Sequence, residues 1–270
     1  ITDNAYRKCG HPDGWGTSEG WIRLERTNST LTAGTIITIR VTASGGNPRI
    51  YSPDSSNWIC SKPQPTAQGD FNLNKNGEQI FFLSGGILTG PNATSATSDA
   101  GRHTGTFLYG FNTRGDVWTP ICDNGPAGGT SNSAKPDGFD CFLSWPTTQS
   151  DYNKYTGPLT PATKHEWVGR INDSSNWTGY ASNSAYNGGP NYYGQNLTIL
   201  PGGNTDGVWI GSKSENWFEC GNWQTLRVPD STVNVILNSN SVRDLTIDAT
   251  APFSDIYDDT ANCRDITISN

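Results

Sequence analysis

Short runs of β-branched and aromatic residues recur along the chain, separated by clusters of Gly, Asn, Ser and Pro. Extended runs punctuated by turn-formers are the mark of an all-β chain. They predict strands at 21–25, 35–42, 79–83, 106–111, 197–200, 208–211, 232–237, 244–247 and 265–268. Phe71-Asn72-Leu73, then Asn76-Gly77, then 79–83 reads as a hairpin, because Asn-Gly supplies the two positive-φ residues of a type I′ turn. One segment breaks the pattern. Thr160 is placed to cap a helix and Pro161 to open it, and Trp167, Val168 and Ile171 fall on one face, so a helix is expected that ends near Asn172. The stretch 122–151, rich in Gly, Ser, Asn and Pro, reads as irregular.

The texture changes near residue 201. Pro201-Gly202-Gly203-Asn204 reads as a linker, which divides the chain into a module at 1–200 and a smaller Trp-rich β module at 205–270. In the second, Arg243-Asp244-Leu245-Thr246-Ile247 recurs as Arg264-Asp265-Ile266-Thr267-Ile268, 21 residues later. A strand motif repeating at that spacing predicts stacked rungs and the start of a β-solenoid. Two copies fall short of the three that stacking needs, so a piece of a longer protein is expected.

Composition narrows the function classes. The net charge of −7 over 270 residues, with no basic run, excludes the electrostatic footprint of a nucleic-acid binder. No apolar stretch has the roughly 18–20 residues of a membrane-spanning helix. The sequence has no Met and begins Ile1-Thr2-Asp3-Asn4, as expected of a mature or trimmed chain. Six cysteines, Cys9, Cys60, Cys122, Cys141, Cys220 and Cys263, are widely spaced without a CxxC, which favours disulfides over zinc or redox motifs and points to an extracellular location. Pairing within sequence neighbourhoods predicts Cys9–Cys60, Cys122–Cys141 and Cys220–Cys263.

Catalytic chemistry is thinly supplied. Gly16-Thr17-Ser18-Glu19-Gly20 matches GxSxG, but a nucleophile elbow needs a strand before it and a helix after it, and here a strand follows. The three histidines, His11, His103 and His165, form neither an HExxH nor a triad pattern. An acid pair such as Asp13 and Glu19 could converge on one loop, but nothing in the sequence sets their separation. Arg114-Gly115-Asp116 reads as ordinary turn chemistry. No cofactor is expected. Candidate Ca²⁺ ligands at Asp255, Asp258 and Asp259, and at Asp70 with Asn72, Asn74 and Asn76, lack EF-hand spacing and read as solvated turns. Trp209, Trp217 and Trp223 are expected in a core, whereas Tyr186, Tyr192 and Tyr193, flanked by Gly and Asn, are candidates for stacking on a glycan. Sequons stand at Asn28, Asn92, Asn172, Asn176 and Asn196.

Two stretches resemble known modules. In residues 1–200 the ordered features are Ile1-Thr2-Asp3-Asn4-Ala5-Tyr6, Glu19-Gly20-Trp21-Ile22, Leu31-Thr32-Ala33-Gly34-Thr35-Ile36, Gly77-Glu78-Gln79-Ile80-Phe81-Phe82, Phe107-Leu108-Tyr109-Gly110-Phe111 and Asn176-Trp177-Thr178. In the second module they are Trp209-Ile210-Gly211, Asn216-Trp217, Gly221-Asn222-Trp223, Val228-Pro229 and Cys263 before Arg264. The chain thereby resembles secreted modules of Bacteroidota cell-surface adhesin and filament proteins, the first distantly similar to lamin-tail, immunoglobulin-like β-sandwiches. The resemblance implies a β-sandwich with one short helix, followed by the small β module, and it supplies no catalytic residues. It also implies O-glycosylation of Ser231 in Asp230-Ser231-Thr232 and of Thr260 in Asp259-Thr260-Ala261. The module's usual opening strand, before Ile1, is missing, so an unpaired edge is expected near 35–42. The expected function is therefore a non-enzymatic extracellular structural or adhesive protein of the bacterial surface. Its partners would be neighbouring copies, adjoining modules or surface glycans, with contacts along strand edges that build a filament. The alternative is a carbohydrate-binding module of a larger secreted enzyme.

Overall fold

The computed structural model describes residues 2–6, 15–27, 30–40, 49–51, 55–61, 79–86, 88–89, 102–103, 105–113, 143–144, 152–180, 192, 194–202, 205–229, 231–247 and 263–269. In chain order the strands are β1 (Thr2–Tyr6), β2 (Trp15–Trp21), β3 (Arg23–Arg26), β4 (Thr38–Arg40), β5 (Arg49–Tyr51), β6 (Trp58–Ser61), β7 (Gln79–Ser84), β8 (Leu88–Thr89) and β9 (Arg102–His103). They continue as β10 (Thr106–Asn112), β11 (Leu143–Ser144), β12 (Tyr152–Tyr155) and β13 (Ala162–Thr163). The helix α1 (Lys164–Asn172) follows, then β14 (Trp177–Tyr180), β15 (Ile199–Leu200), β16 (Val235–Asn238) and β17 (Ile266–Ser269). The fold is mostly β, in short sheets with one helix and no closed barrel among the described residues.

The chain divides into two units. The first comprises Ile1–Lys135, Leu143–Leu159 and Ser174–Leu197; the second comprises Pro136–Phe142, Thr160–Asp173 and Thr198–Asn270. The helix thus belongs with the Trp-rich segment.

In the first unit five strands form one sheet in the order β11-β10-β7-β1-β2, with only the β10–β11 pair parallel. β1 lies inside this sheet, between β7 and β2, so the first strand of the chain has both edges paired. β4, where an open edge was expected, pairs antiparallel with β5, and Thr35 bridges to Asn196. The strand expected at 21–25 is two strands, which separate at the buried Ile22. On β7 the alternation of side chains buries Gln79 and Phe81.

A repeat not anticipated from the sequence organises two ribbons of this unit. Ser-Ser-Asn-Trp occurs at 55–58 and again at 174–177. Each copy makes a 3-10 turn that feeds a strand opening on its Trp. β6 pairs antiparallel with β3, and β14 with β12, in matching register: Arg26 faces Trp58 and Tyr155 faces Trp177. In both, a threonine just past the partner strand donates its N–H to the turn asparagine's carbonyl, Thr27 to Asn57 at 2.9 Å and Thr156 to Asn176 at 2.7 Å. A ring contact lies beside each turn, the Arg26 guanidinium 5.2 Å from Trp58 and Tyr155 5.4 Å from Trp177.

In the second unit, the helix starts later than Thr160 and Pro161 suggested. Thr163 is the cap: its hydroxyl accepts from the Glu166 N–H, and the Glu166 carboxylate accepts from the Thr163 N–H at 2.8 Å. This reciprocal box outcompetes Thr160 because Ala162 and Thr163 are held extended, paired in parallel with Ile199 and Leu200. The end at Asn172 and the inward-facing Trp167 agree with the sequence pattern. Trp167 donates its indole N–H to the Thr198 carbonyl at 3.0 Å, and Arg170 lies 5.0 Å over its ring.

Candidate functional site

The second unit contains a parallel ladder built from three passes of the chain. Val208 bridges in parallel to Ile236, and Ile236 pairs in parallel with Thr267. The passes are 28 and then 31 residues apart. A second parallel contact joins Asn216 to Thr246. These contacts are parallel, but their spacing is not the expected 21 residues. The 21-residue repeat does not pair with itself: Arg264–Ile268 aligns with 233–237, not with 243–247. The two similar motifs have different neighbours because Thr246 exchanges bonds with Glu215 and Trp217, whereas β17 lies against β16.

Glycine permits the close passage between rungs. Gly207 adopts φ +75°, and a Cβ there would overlap the Asn234 carbonyl oxygen. Gly211, at φ +60°, lies where a Cβ would stand 2.9 Å from the Arg243 nitrogen.

Three tryptophans fill the ladder's interior. Trp209, Trp217 and Trp223 are fully buried with Val235. Trp223 meets Trp209 edge-on at 5.1 Å and Trp217 at 4.9 Å. Such edge-to-face contacts set the positive ring edge against the negative face, a gain of about 0.5–1.5 kcal/mol beyond area burial. Trp223 donates to the Trp217 carbonyl at 2.8 Å and Trp209 to the Arg243 carbonyl at 2.9 Å, while the buried Trp217 indole N–H has no partner among the described residues. Asn222, fully buried beside them, uses its whole amide. Its Oδ1 accepts from the N–H groups of Lys213 and Ser214, each at 2.8 Å, and its Nδ2 donates to Ser214 Oγ at 3.0 Å and the Asn216 carbonyl at 2.9 Å. This side chain fastens an irregular loop that has no strand to satisfy its N–H groups.

One end of the ladder is closed. On the side of Val208 away from Ile236, the Gln224 N–H donates to the Val208 carbonyl and Trp223 bridges to Trp209. The Gln224 carbonyl lies 3.2 Å from His165 Nδ1, which brings α1 against the same segment. Burial pushes the His165 pKa down, against the upward pull of the Gln224 carbonyl and Glu166. At the other end all four residues of β17 are exposed.

The remaining candidates are dispersed. Ser18 lies within β2, an extended strand in the middle of the GxSxG match, so the strand-turn-helix of a nucleophile elbow is not formed there. Tyr192 is half-buried and donates its hydroxyl to the Tyr155 carbonyl at 2.8 Å. Ser231 is exposed. Tyr186, Tyr193 and Thr260 lie outside the described residues, as do Asp70, Asp255, Asp258, Asp259, the 114–116 tripeptide and the 76–77 turn. Among the described residues no three His, Cys, Asp or Glu side chains come together as a metal site, and no helix is long and apolar enough to cross a membrane.

The cysteines require a correction. Cys60 and Cys263 are free thiols, so neither Cys9–Cys60 nor Cys220–Cys263 forms. Cys220 is disulfide-bonded. Sequence proximity misleads because the strands decide which cysteines meet: Cys60 pairs opposite Leu24 on β3, and Cys263 packs against the tryptophan cluster. Burial raises the Cys60 pKa and keeps it a thiol. Cys9, Cys122 and Cys141 lie outside the described residues.

Compared with known proteins, the chain matches no family model, no curated protein and no solved structure.

Proposed function

We propose that the chain is a non-enzymatic structural or adhesive protein of the bacterial surface, extracellular and working through strand-edge contacts. Its first unit would be a β-sandwich and its second the beginning of a solenoid. The observation that carries this reading is the ladder: three parallel passes over a tryptophan core. Repeated rungs build extended surfaces and extended particles, not reaction pockets. The placement of Ser18 inside a strand, and a disulfide in a chain with little charge, support the same reading. Exposed Ser231 is the residue at which glycan attachment is proposed.

The test has two arms. Immunogold labelling of intact producer cells is expected to decorate the surface, and the purified chain is expected to hydrolyse no ester, peptide or glycan. Stoichiometric labelling of Ser18 by a serine-reactive probe, or a hydrolysis abolished by Ser18→Ala, would overturn the proposal. Specific retention on a glycan array, lost in Tyr193→Ala, would transfer the reading to a carbohydrate-binding module.

A further inference from the structure

We infer that the opposed arginines Arg40 and Arg49 on the β4–β5 ribbon form a binding site for the carboxylate of an acidic polysaccharide. The inference rests on the surface reading above and names the chemistry of the partner.

Charge is distributed unevenly along the chain. The whole sequence carries −7, yet residues 23–61 hold four arginines against Glu25 and Asp54, and no lysine. Arg23 is bound to Glu25 at 2.8 Å, and the Arg26 guanidinium lies 5.2 Å from the Trp58 ring. Arg40 and Arg49 stand directly opposite each other, one on each strand of the β4–β5 ribbon. Antiparallel pairing brings opposite Cβ atoms to about 5 Å, and like charges placed there destabilise the pair. The preceding pair, Ile39 with Ile50, faces the other way and is half-buried, so the alternation turns both arginines to solvent, where both are exposed. Glu25 is the one acidic residue in β3, β4, β5 and β6, and Arg23 engages it. A cation set against a cation lowers the stability of a two-stranded ribbon. Local rules broken at a cost in stability are the mark of a site kept for its function.

The side chains select the ligand. A guanidinium is planar, and its paired N–H groups match the two oxygens of a carboxylate. Two such forks on opposed residues can hold one carboxylate between them, because each of its oxygens accepts more than one bond. Thr38, two residues before Arg40, lies on the same face and adds a hydroxyl, which bonds a sugar hydroxyl as donor or acceptor. A uronic acid combines the two features, a single carboxylate among hydroxyls. A dense polyanion fits worse: two cations answer two of its charges, while the rest meet a chain of net −7. This sets a polysaccharide in which charged and neutral sugars alternate above a nucleic acid or an acidic protein segment. One such site is weak, but the polymer repeats its carboxylate, and copies displayed together on a surface engage many repeats at once.

Biolayer interferometry of the 270-residue chain on immobilised hyaluronan, whose uronic acids alternate with neutral sugars, tests this. Binding is expected that fades as salt is raised, with none on uncharged dextran. Arg40→Gln with Arg49→Gln should weaken it at least about tenfold. The urea midpoint of that variant should equal or exceed that of the unchanged chain, because a like-charge pair has gone. Lys164→Gln with Arg264→Gln removes the same charge from exposed positions elsewhere and should leave binding unchanged. No binding to hyaluronan, or binding that the arginine variant keeps or the control variant loses, overturns the inference. A lowered urea midpoint in the arginine variant assigns the pair to the fold and overturns it too, as does equal binding to polyglutamate or double-stranded DNA. In each of these cases the surface reading stands. A hydrolytic activity in a chain that still binds hyaluronan through Arg40 and Arg49 leaves the inference standing and removes that reading instead.

Discussion

The two units solve the problem of backbone satisfaction in opposite ways. In the first, antiparallel ribbons consume N–H and C=O groups locally, and the repeated Ser-Ser-Asn-Trp turn ties off each ribbon with one threonine bond. In the second, regular strands are few and parallel, and side chains satisfy the loops instead: Asn222, Trp209 and Trp223 all bond to backbone. A ribbon distributes its stability over many equivalent bonds. A loop-built ladder concentrates it in a few buried side chains, and it is correspondingly brittle.

That contrast breaks most readily at the tryptophans. Trp223→Ala removes two ring contacts and an indole bond from a fully buried site, and should destabilise the second unit by about 3–5 kcal/mol. Hydrogen-exchange mass spectrometry in denaturant should show the loss in peptides of the second unit and not in the β3–β6 or β12–β14 ribbons. Asn222→Ala follows at roughly 2–4 kcal/mol, because the N–H groups of Lys213 and Ser214 are left without an acceptor. Equilibrium urea unfolding would measure it.

A matched pair of glycines sharpens the comparison. Gly85 in the first unit and Gly207 in the second share a left-handed conformation, φ +63° and +75°. Open space surrounds a Cβ at Gly85, so Gly85→Ala should cost only the conformational term, about 1 kcal/mol. At Gly207 the Asn234 carbonyl is in the way, and Gly207→Ala should cost about 3 kcal/mol as the rungs are forced apart. Equal losses would remove the distinction between the units.

The smallest effect is on pH. Burial holds the His165 pKa below its ordinary value of about 6.5, so the unfolded chain takes up the proton more readily than the folded one. Its contribution is complete above about pH 6.5 and is lost as the pH falls through the lowered folded value. The second unit should therefore lose protection between neutral and mildly acidic pH more than the first, and His165→Gln should flatten that dependence.

Much of the strand pattern was legible because alternation and turn residues report local conformation: 79–83 and 106–111 lie within β7 and β10, and the tryptophans expected in a core are buried. What failed was non-local. The 21-residue repeat marks two similar sequences, but only the second forms a regular strand, and the first, at 243–247, makes a single bridge from Thr246 to Asn216. The Cys9–Cys60 and Cys220–Cys263 pairings failed for the same reason. The helix start was misread because Pro161 satisfies the rule for a first helical residue, while the Thr163–Glu166 box two residues later bonds both groups. The Ser-Ser-Asn-Trp duplication was present in the sequence throughout, and aligning the chain with itself would have found it.

The mutual tilt of the indoles has an optical consequence. Trp217, Trp223 and Trp209 stand with successive ring planes at 74° and centroids about 5 Å apart. At that separation the electronic transitions of neighbouring rings couple, and because the planes are crossed, the coupling rotates polarised light with opposite signs on either side of the shared band. The second unit thus carries its own chromophore, a couplet that reports the assembled ladder without a label and is lost when Trp223, the ring shared by both pairs, leaves the stack.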